Sequence, residues 1–155
     1  MAQFTLSFIP MLIAACIGLP VLAEANFDQL TLAPDFDRKT GRVSGHTGGS
    51  FSFSSIARRD YRNQPCIGFG APNPDHIMVL EEDFERLRIL VRSGGNDTTL
   101  MIQGPNSSNI RCGDDTDSRK DASIEDLNWA AGTYRIWVGS FEPRQRWNYR
   151  LVVRE

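Results

Sequence analysis

Residues 86–105 read "RLRILVRSGGNDTTLMIQGP". Leu87, Ile89 and Val91 fall on every second position with Arg86, Arg88 and Arg92 around them, until "SGGND" interrupts and Leu100 and Ile102 resume the same beat. A period of two marks a strand with one buried face, because successive side chains point to opposite sides of the pleat. The glycines and asparagine between the two runs accept the positive φ that a chain reversal needs. The pattern spreads outward in both directions: Leu30 and Leu32, Phe51 and Phe53, Ile77 and Val79, then Tyr134, Ile136 and Val138, and Tyr149, Leu151 and Val153. Clusters of Gly, Pro, Asn and Asp separate these runs, as in "NQPCIGFGAPNPD" (63–75) and "GDDTDSRKDAS" (113–123). No stretch after the apolar N-terminus holds a helical period over three turns; "EEDFERL" and "SIEDLNWA" each suit one short helical turn. About seven or eight short strands with turns between them predict an all-β fold, an antiparallel two-sheet β-sandwich.

The chain has 155 residues, 41% hydrophobic and 23% charged, enough for one ordinary domain with its own core. Residues 1–23, "MAQFTLSFIPMLIAACIGLPVLA", carry no charged side chain and end in small residues. This predicts a signal peptide over residues 1–25, cut after Ala23 or Ala25, and a single domain over 26–155. Its n-region lacks Lys and Arg, so two alternatives stay open. "IAAC" would place a lipid anchor on Cys16, and about 20 apolar residues could serve as an uncleaved anchor, although Pro10 and Pro20 weigh against the second. The expected location is therefore secreted or periplasmic, with the lipid-anchored form as the alternative. Cleavage would remove Cys16 and leave Cys66 and Cys112, an even pair that predicts a disulfide in an oxidising compartment. Closing that loop would restrict the unfolded chain by roughly 4 kcal/mol. A net charge of −2 argues against a dedicated binder of nucleic acid or of anionic membranes.

Across residues 75–140 the series "PDHIMVL", "RLRILVRSGGNDTTLMIQGP", "CGDD" and "AGTYRIWVGSF" resembles the bacterial pre-peptidase C-terminal domain. "FDQLTLAPDF" (27–36) and "SGHTGGS" (44–50) extend the likeness over the rest of the chain after the signal, in the stand-alone, cyanobacterial-like exported form. The resemblance implies a jelly-roll-like sandwich that is not itself a peptidase and that assists secretion, localisation or binding. Related sandwiches in bacterial collagenases bind calcium and a polymeric protein ligand.

The residues offer little to catalysis. A zinc hydrolase needs three or four clustered nitrogen and sulfur ligands, and only His46 and His76 are present, without an H-E-x-x-H motif. Ser50 in "GGSFS" lacks the nucleophile-elbow pattern, and His76 reads as a surface or capping residue at a strand edge. The acids concentrate instead in one segment, "RCGDDTDSRKDASIED" (111–126), where they are not mounted on facing elements as a glycosidase requires. A hard cation such as calcium takes six to eight oxygen ligands from loops of this kind. The spacing is not that of an EF-hand, so a site would have to join several loops. Asp114, Asp115 and Asp117, with Asp97 from the "GGND" turn, form the candidate metal set. The competing reading is that these carboxylates cap turns and face water, and the second half of the segment is expected to be a solvated loop.

Alternation also assigns an outer face to Arg86, Arg88, Arg92, Arg135, Trp137, Arg150 and Arg154. Arginine forks grip carboxylate or sulfate, and tryptophan offers a flat platform. Arg88, Arg135, Trp137 and Arg150 are the candidate ligand-binding residues for an anionic glycan or peptide, provided their strands share one sheet. The expectation is a non-catalytic exported module that binds a protein or glycan at the cell envelope, with calcium as the candidate cofactor and no nucleic-acid partner. The alternative is a secretion-assisting or structural accessory of an exported peptidase, without a ligand of its own.

Overall fold

A computed structural model describes residues 24–116 and 119–155. The expected signal peptide, Cys16 and Asp117 lie outside the described residues. Among these residues the chain forms twelve strands and one 3-10 turn at Phe53–Ser55, and no helix long and apolar enough to cross a membrane. The strands are β1 (Leu30–Leu32), β2 (Arg42–His46), β3 (Phe51–Ser52), β4 (Phe69–Gly70), β5 (His76–Leu80) and β6 (Phe84–Arg92), followed by β7 (Thr98–Gln103), β8 (Ile110–Gly113), β9 (Asp115–Thr116), β10 (Arg119–Trp129), β11 (Gly132–Ser140) and β12 (Asn148–Arg154).

The strands build two sheets. One has the order β2-β12-β6-β10-β9, and the other runs β1-β5-β11-β4-β3 with β7 and β8 added beyond β11. Their facing sides close over a single apolar layer. Leu87, Ile89, Val91, Ala122, Ile124, Leu151 and Val153 from the first sheet meet Leu32, Met78, Leu80, Leu100, Ile102, Tyr134 and Ile136 from the second. Burying each such aliphatic side chain stabilises the fold by about 1.5–3 kcal/mol. The two-sheet, all-β sandwich expected from the sequence is present. Every pairing is antiparallel except β1 with β5, which run parallel in the register Leu30↔Met78.

Five strands fall where loops or turns were expected: β2, the two-residue β4, β8, β9 and the eleven-residue β10. The second half of the acidic segment is therefore not a solvated loop, and "SIEDLNWA" is not a helical turn. β10 runs along β6 from Ser123↔Leu90 to Trp129↔Phe84 and points Ala122, Ile124 and Asp126 inward. An inward carboxylate breaks the apolar alternation that betrays a strand. Near its end Asn128 takes a φ of 56°, which asparagine tolerates better than most residues, and the alternation changes there. Leu127 is exposed while Trp129 is fully buried.

β5 has the parity opposite to the one its sequence suggests, because His76, Met78 and Leu80 face the core side. His76 is not a surface residue. It is fully buried, its Nδ1 is 2.8 Å from the Asp28 carbonyl oxygen, and its Nε2 is 2.9 Å from the Tyr149 hydroxyl. With the proton on Nδ1, the ring donates to Asp28 and accepts from Tyr149, so both nitrogens are satisfied without charge. Burial accordingly holds the imidazole below its ordinary pKa.

Nor are all the strands half-buried. Thr98, Thr99, Leu100, Met101 and Ile102 of β7 are buried in succession. A segment between β3 and β4 folds over the outer side of this sheet, where Phe53, Cys66, Met101, Ile110 and Trp137 make a second, smaller apolar cluster. The Cys66–Cys112 disulfide fastens that segment to β8.

Candidate functional site: a carboxylate cluster at one end of the sandwich

The turn from β6 to β7 is fixed by local polar bonds. The Ser93 amide and hydroxyl both donate to Asp121 Oδ1, and the Asn96 side-chain amide donates to the Ser93 carbonyl at 2.7 Å. This holds Asp97 at the mouth of β7, where its carbonyl accepts from the Phe141 amide at 2.9 Å. From the other side β8 delivers Asp114 and Asp115. Gly113 is required there by a close approach, since a Cβ at that position would collide with the Ser123 carbonyl of β10. The Ser123 amide in turn donates to the Asp114 carbonyl at 3.1 Å.

Carboxylate oxygens of Asp97, Asp114 and Asp115 consequently lie within 4.8 Å of one another. The sequence reading grouped these three, from two separate loops, with Asp117, which lies outside the described residues. Asp114 Oδ1 is buried without a hydrogen-bond partner. Burial, then the charges of Asp115 and Asp97, push the Asp114 carboxyl above its ordinary pKa. One cation already attends the cluster, as Lys120 Nζ sits 2.7 Å from Asp97 Oδ2. An unsatisfied buried oxygen facing two more carboxylates fits a hard, oxygen-seeking cation.

The predicted arginine and tryptophan face does not form as one surface. Arg88 and Arg150 lie on β6 and β12 of the five-stranded sheet, whereas Arg135 and Trp137 lie on β11 of the other sheet. Trp137 is not a platform, because it is 4% exposed beneath the 53–66 segment and its indole donates to the Pro72 carbonyl at 3.2 Å. Arg88 is tied to Glu125, with Nε 3.7 Å from the carboxylate, and Arg86 approaches the same group at 3.3 Å. Arg150 stays exposed on the outer side of its sheet, directly opposite Arg92.

Sequence reasoning missed a second polar centre that bridges the two sheets. Asp126 of β10 accepts from Arg111 Nε of β8 at 2.7 Å and from the Tyr61 hydroxyl at 2.6 Å, with the Arg62 guanidinium 3.3 Å from its other oxygen. The Arg111 guanidinium lies 4.1 Å above the Trp129 ring. Burial alone would raise the Asp126 pKa, but the bonds from Tyr61, Arg111 and the Leu127 amide, with the Arg111 charge, outweigh it and hold the carboxyl below its ordinary range. The signal available in sequence was only Arg111 beside Cys112 and Asp126 within an apolar strand.

No family model matches the chain, and no curated protein matches it. Among solved structures, the fold is similar to the pre-peptidase C-terminal domain of a collagenase from Bacillus anthracis, solved at 1.0 Å. The two share 12% identity and a TM-score of 0.47, over 81% of this chain and 94% of that one.

Proposed function

We propose that this chain is an exported, non-catalytic binding module of the pre-peptidase C-terminal kind, which uses a calcium ion held by Asp97, Asp114 and Asp115 to fix one end of its sandwich. The observation that carries the cation is the partnerless, buried Asp114 Oδ1 among converging carboxylates. When bound, calcium would supply the missing partner and offset the mutual repulsion of the three acids. Support for export comes from the Cys66–Cys112 bond, since such bonds persist in oxidising compartments. Support for a non-catalytic role comes from His76, whose ring nitrogens are both engaged inside the fold. The partner is expected to be an envelope or extracellular protein or glycan.

A thermal melt with calcium, with magnesium and with chelator tests the cation. At a hundredfold excess over its dissociation constant, calcium should add about 2.7 kcal/mol. Magnesium should do less, because it demands a tighter octahedral shell. Asp114→Asn should erase the difference between calcium and chelator. A melt indifferent to calcium, with no heat of binding in titration, would overturn the assignment.

A further inference from the structure

The outer face of the five-stranded sheet carries an unbalanced row of charge. Pairing places Ser44, Arg150 and Arg92 side by side across β2, β12 and β6, and places Arg154 opposite Arg88, four residues farther along, with Val152 and Leu90 between the two arginine pairs. Two guanidiniums directly opposite one another on adjacent strands repel, and such pairs destabilise a sheet. Glu125 answers Arg86 and Arg88, but neither Arg92 nor Arg150 makes an ion pair with a described residue. They border an open groove of about 690 Å³ whose rim also offers Ser44, Ser93 and Asn148.

We propose that this groove binds the acidic sugar of an anionic polysaccharide, with Arg92 and Arg150 clamping its carboxylate and Ser44, Ser93 and Asn148 meeting its hydroxyls. The proposal rests on the reading of the chain as a binding module and names the ligand class. Charge complementarity selects an anion, since a carboxylate between two arginine forks replaces their repulsion with two charge-assisted bonds. Neutral hydroxyl and amide groups around the clamp suit a ligand rich in hydroxyls. Single-stranded nucleic acid is disfavoured, because the exposed large aromatics Tyr61 and Phe141 lie off the strands of this sheet, and of the rings that line the groove Tyr149 is buried and the half-buried His46 already packs against Phe27. A lipid surface would need exposed apolar side chains beside the arginines, and Leu127, the exposed large aliphatic residue of this sheet, is not among the groove residues.

Retention of the full chain on immobilised polygalacturonate tests this, with Arg92→Gln, Arg150→Gln and their double variant against an Arg58→Gln/Arg59→Gln control. Each single change should weaken binding about tenfold, and the control should bind as the unaltered protein does. Arg→Lys at either position should recover part of the affinity, because charge remains while the fork is lost. The double variant should melt no lower than the parent, because it relieves a repulsion, so lost retention at unchanged Tm reports the site and not the fold. Absence of retention by the parent, equal retention by the double variant, or equally tight binding to polyglutamate, single-stranded DNA or phosphatidylglycerol vesicles would each overturn the proposal. Calcium dependence of Tm is read in the same samples. A melt insensitive to chelator with retention intact would refute the cation alone, and the converse would refute the polysaccharide alone.

Discussion

Asp126→Asn perturbs the buried contact that joins the two sheets, and its cost can be reasoned from the partners. Both Asp126 and Arg111 are almost fully buried, at 6% and 4% exposure, so neither charge can turn to water when the other is removed. Asparagine keeps the shape and one acceptor but leaves the Arg111 guanidinium without its counter-charge, between Asn109 Oδ1 at 2.7 Å and the faces of Trp129 and Tyr61. Breaking a buried pair from one side in this way costs about 3–5 kcal/mol. Arg111→Met should cost less, because the stranded carboxylate keeps the Tyr61 hydroxyl, the Leu127 amide and the nearby Arg62. Arg111→Met combined with Asp126→Leu removes both charges and should return to within about 1 kcal/mol of the parent, since apolar replacement of such pairs is often neutral. Urea unfolding at neutral pH of Arg111→Met, Asp126→Leu and their double variant, read as Cm at constant m, completes the double-mutant cycle, with Asp126→Asn measured beside it. The acid limb offers a second readout. A carboxyl held below its ordinary range contributes stability above that range and loses it as pH falls through the folded-state pKa. Asp126→Asn should therefore flatten the acid limb. If the double variant costs as much as its two parts together, or if Asp126→Asn costs under about 1 kcal/mol, the pair is not the sheet-to-sheet fastening inferred here.

Lys120→Gln should lower the Tm in chelator, because Asp97 loses its cation at 2.7 Å, and should tighten calcium binding several-fold by titration calorimetry; unchanged affinity would place Lys120 outside the ion's field. Asp75 is 4% exposed, and burial pushes its carboxyl up to about 6 against bonds from Asn26 and the Val138 amide and the charge of His46. A raised pKa means stability that is present below about pH 4 and lost as pH rises through about 6, worth about 3 kcal/mol. Neighbouring His76, with its lowered pKa, acts in the opposite sense and loses stability as pH falls below about 6.5. Asp75→Asn should consequently gain stability relative to the parent between pH 5 and 8 in chemical denaturation; a parallel pair of pH profiles would count against the raised carboxyl.

The elements legible in the sequence were those whose buried face is wholly apolar. β6 with Leu87, Ile89 and Val91, and β12 with Tyr149, Leu151 and Val153, could be read because nothing polar interrupts their inner row. β10 was not legible, since Asp126 occupies an inner position and its compensating partner, Arg111, belongs to another strand. The β5 parity was misread for the same reason: an inward His76 is acceptable only because Asp28 and Tyr149 stand ready in space. The acid cluster was legible in part. Density of aspartate marked Asp114 and Asp115, and a Gly-rich turn marked Asp97, but the antiparallel pairing of β7 with β8, with Leu100 opposite Gly113, is what brings those loops together. The arginine face was misassigned because alternation fixes which side of its own strand a residue occupies, not which sheet that strand joins.

Residues 93–97 form one turn whose first member, Ser93, lines the arginine groove, and whose last member, Asp97, faces Asp114. Asp121 grips the beginning of this turn through the Ser93 amide, and Lys120, its neighbour on β10, grips the end through the Asp97 carboxylate. Adjacent residues on a strand point to opposite sides, so β10 can hold the turn from both sides at once. The lysine therefore does more than neutralise a carboxylate, as it keeps Asp97 in place by a charge-assisted bond that a bound calcium ion would replace. The proposed anion groove and the proposed cation site would thus stand at the two ends of one five-residue turn, which is held at both ends by side chains of β10, the strand that the sequence pattern concealed.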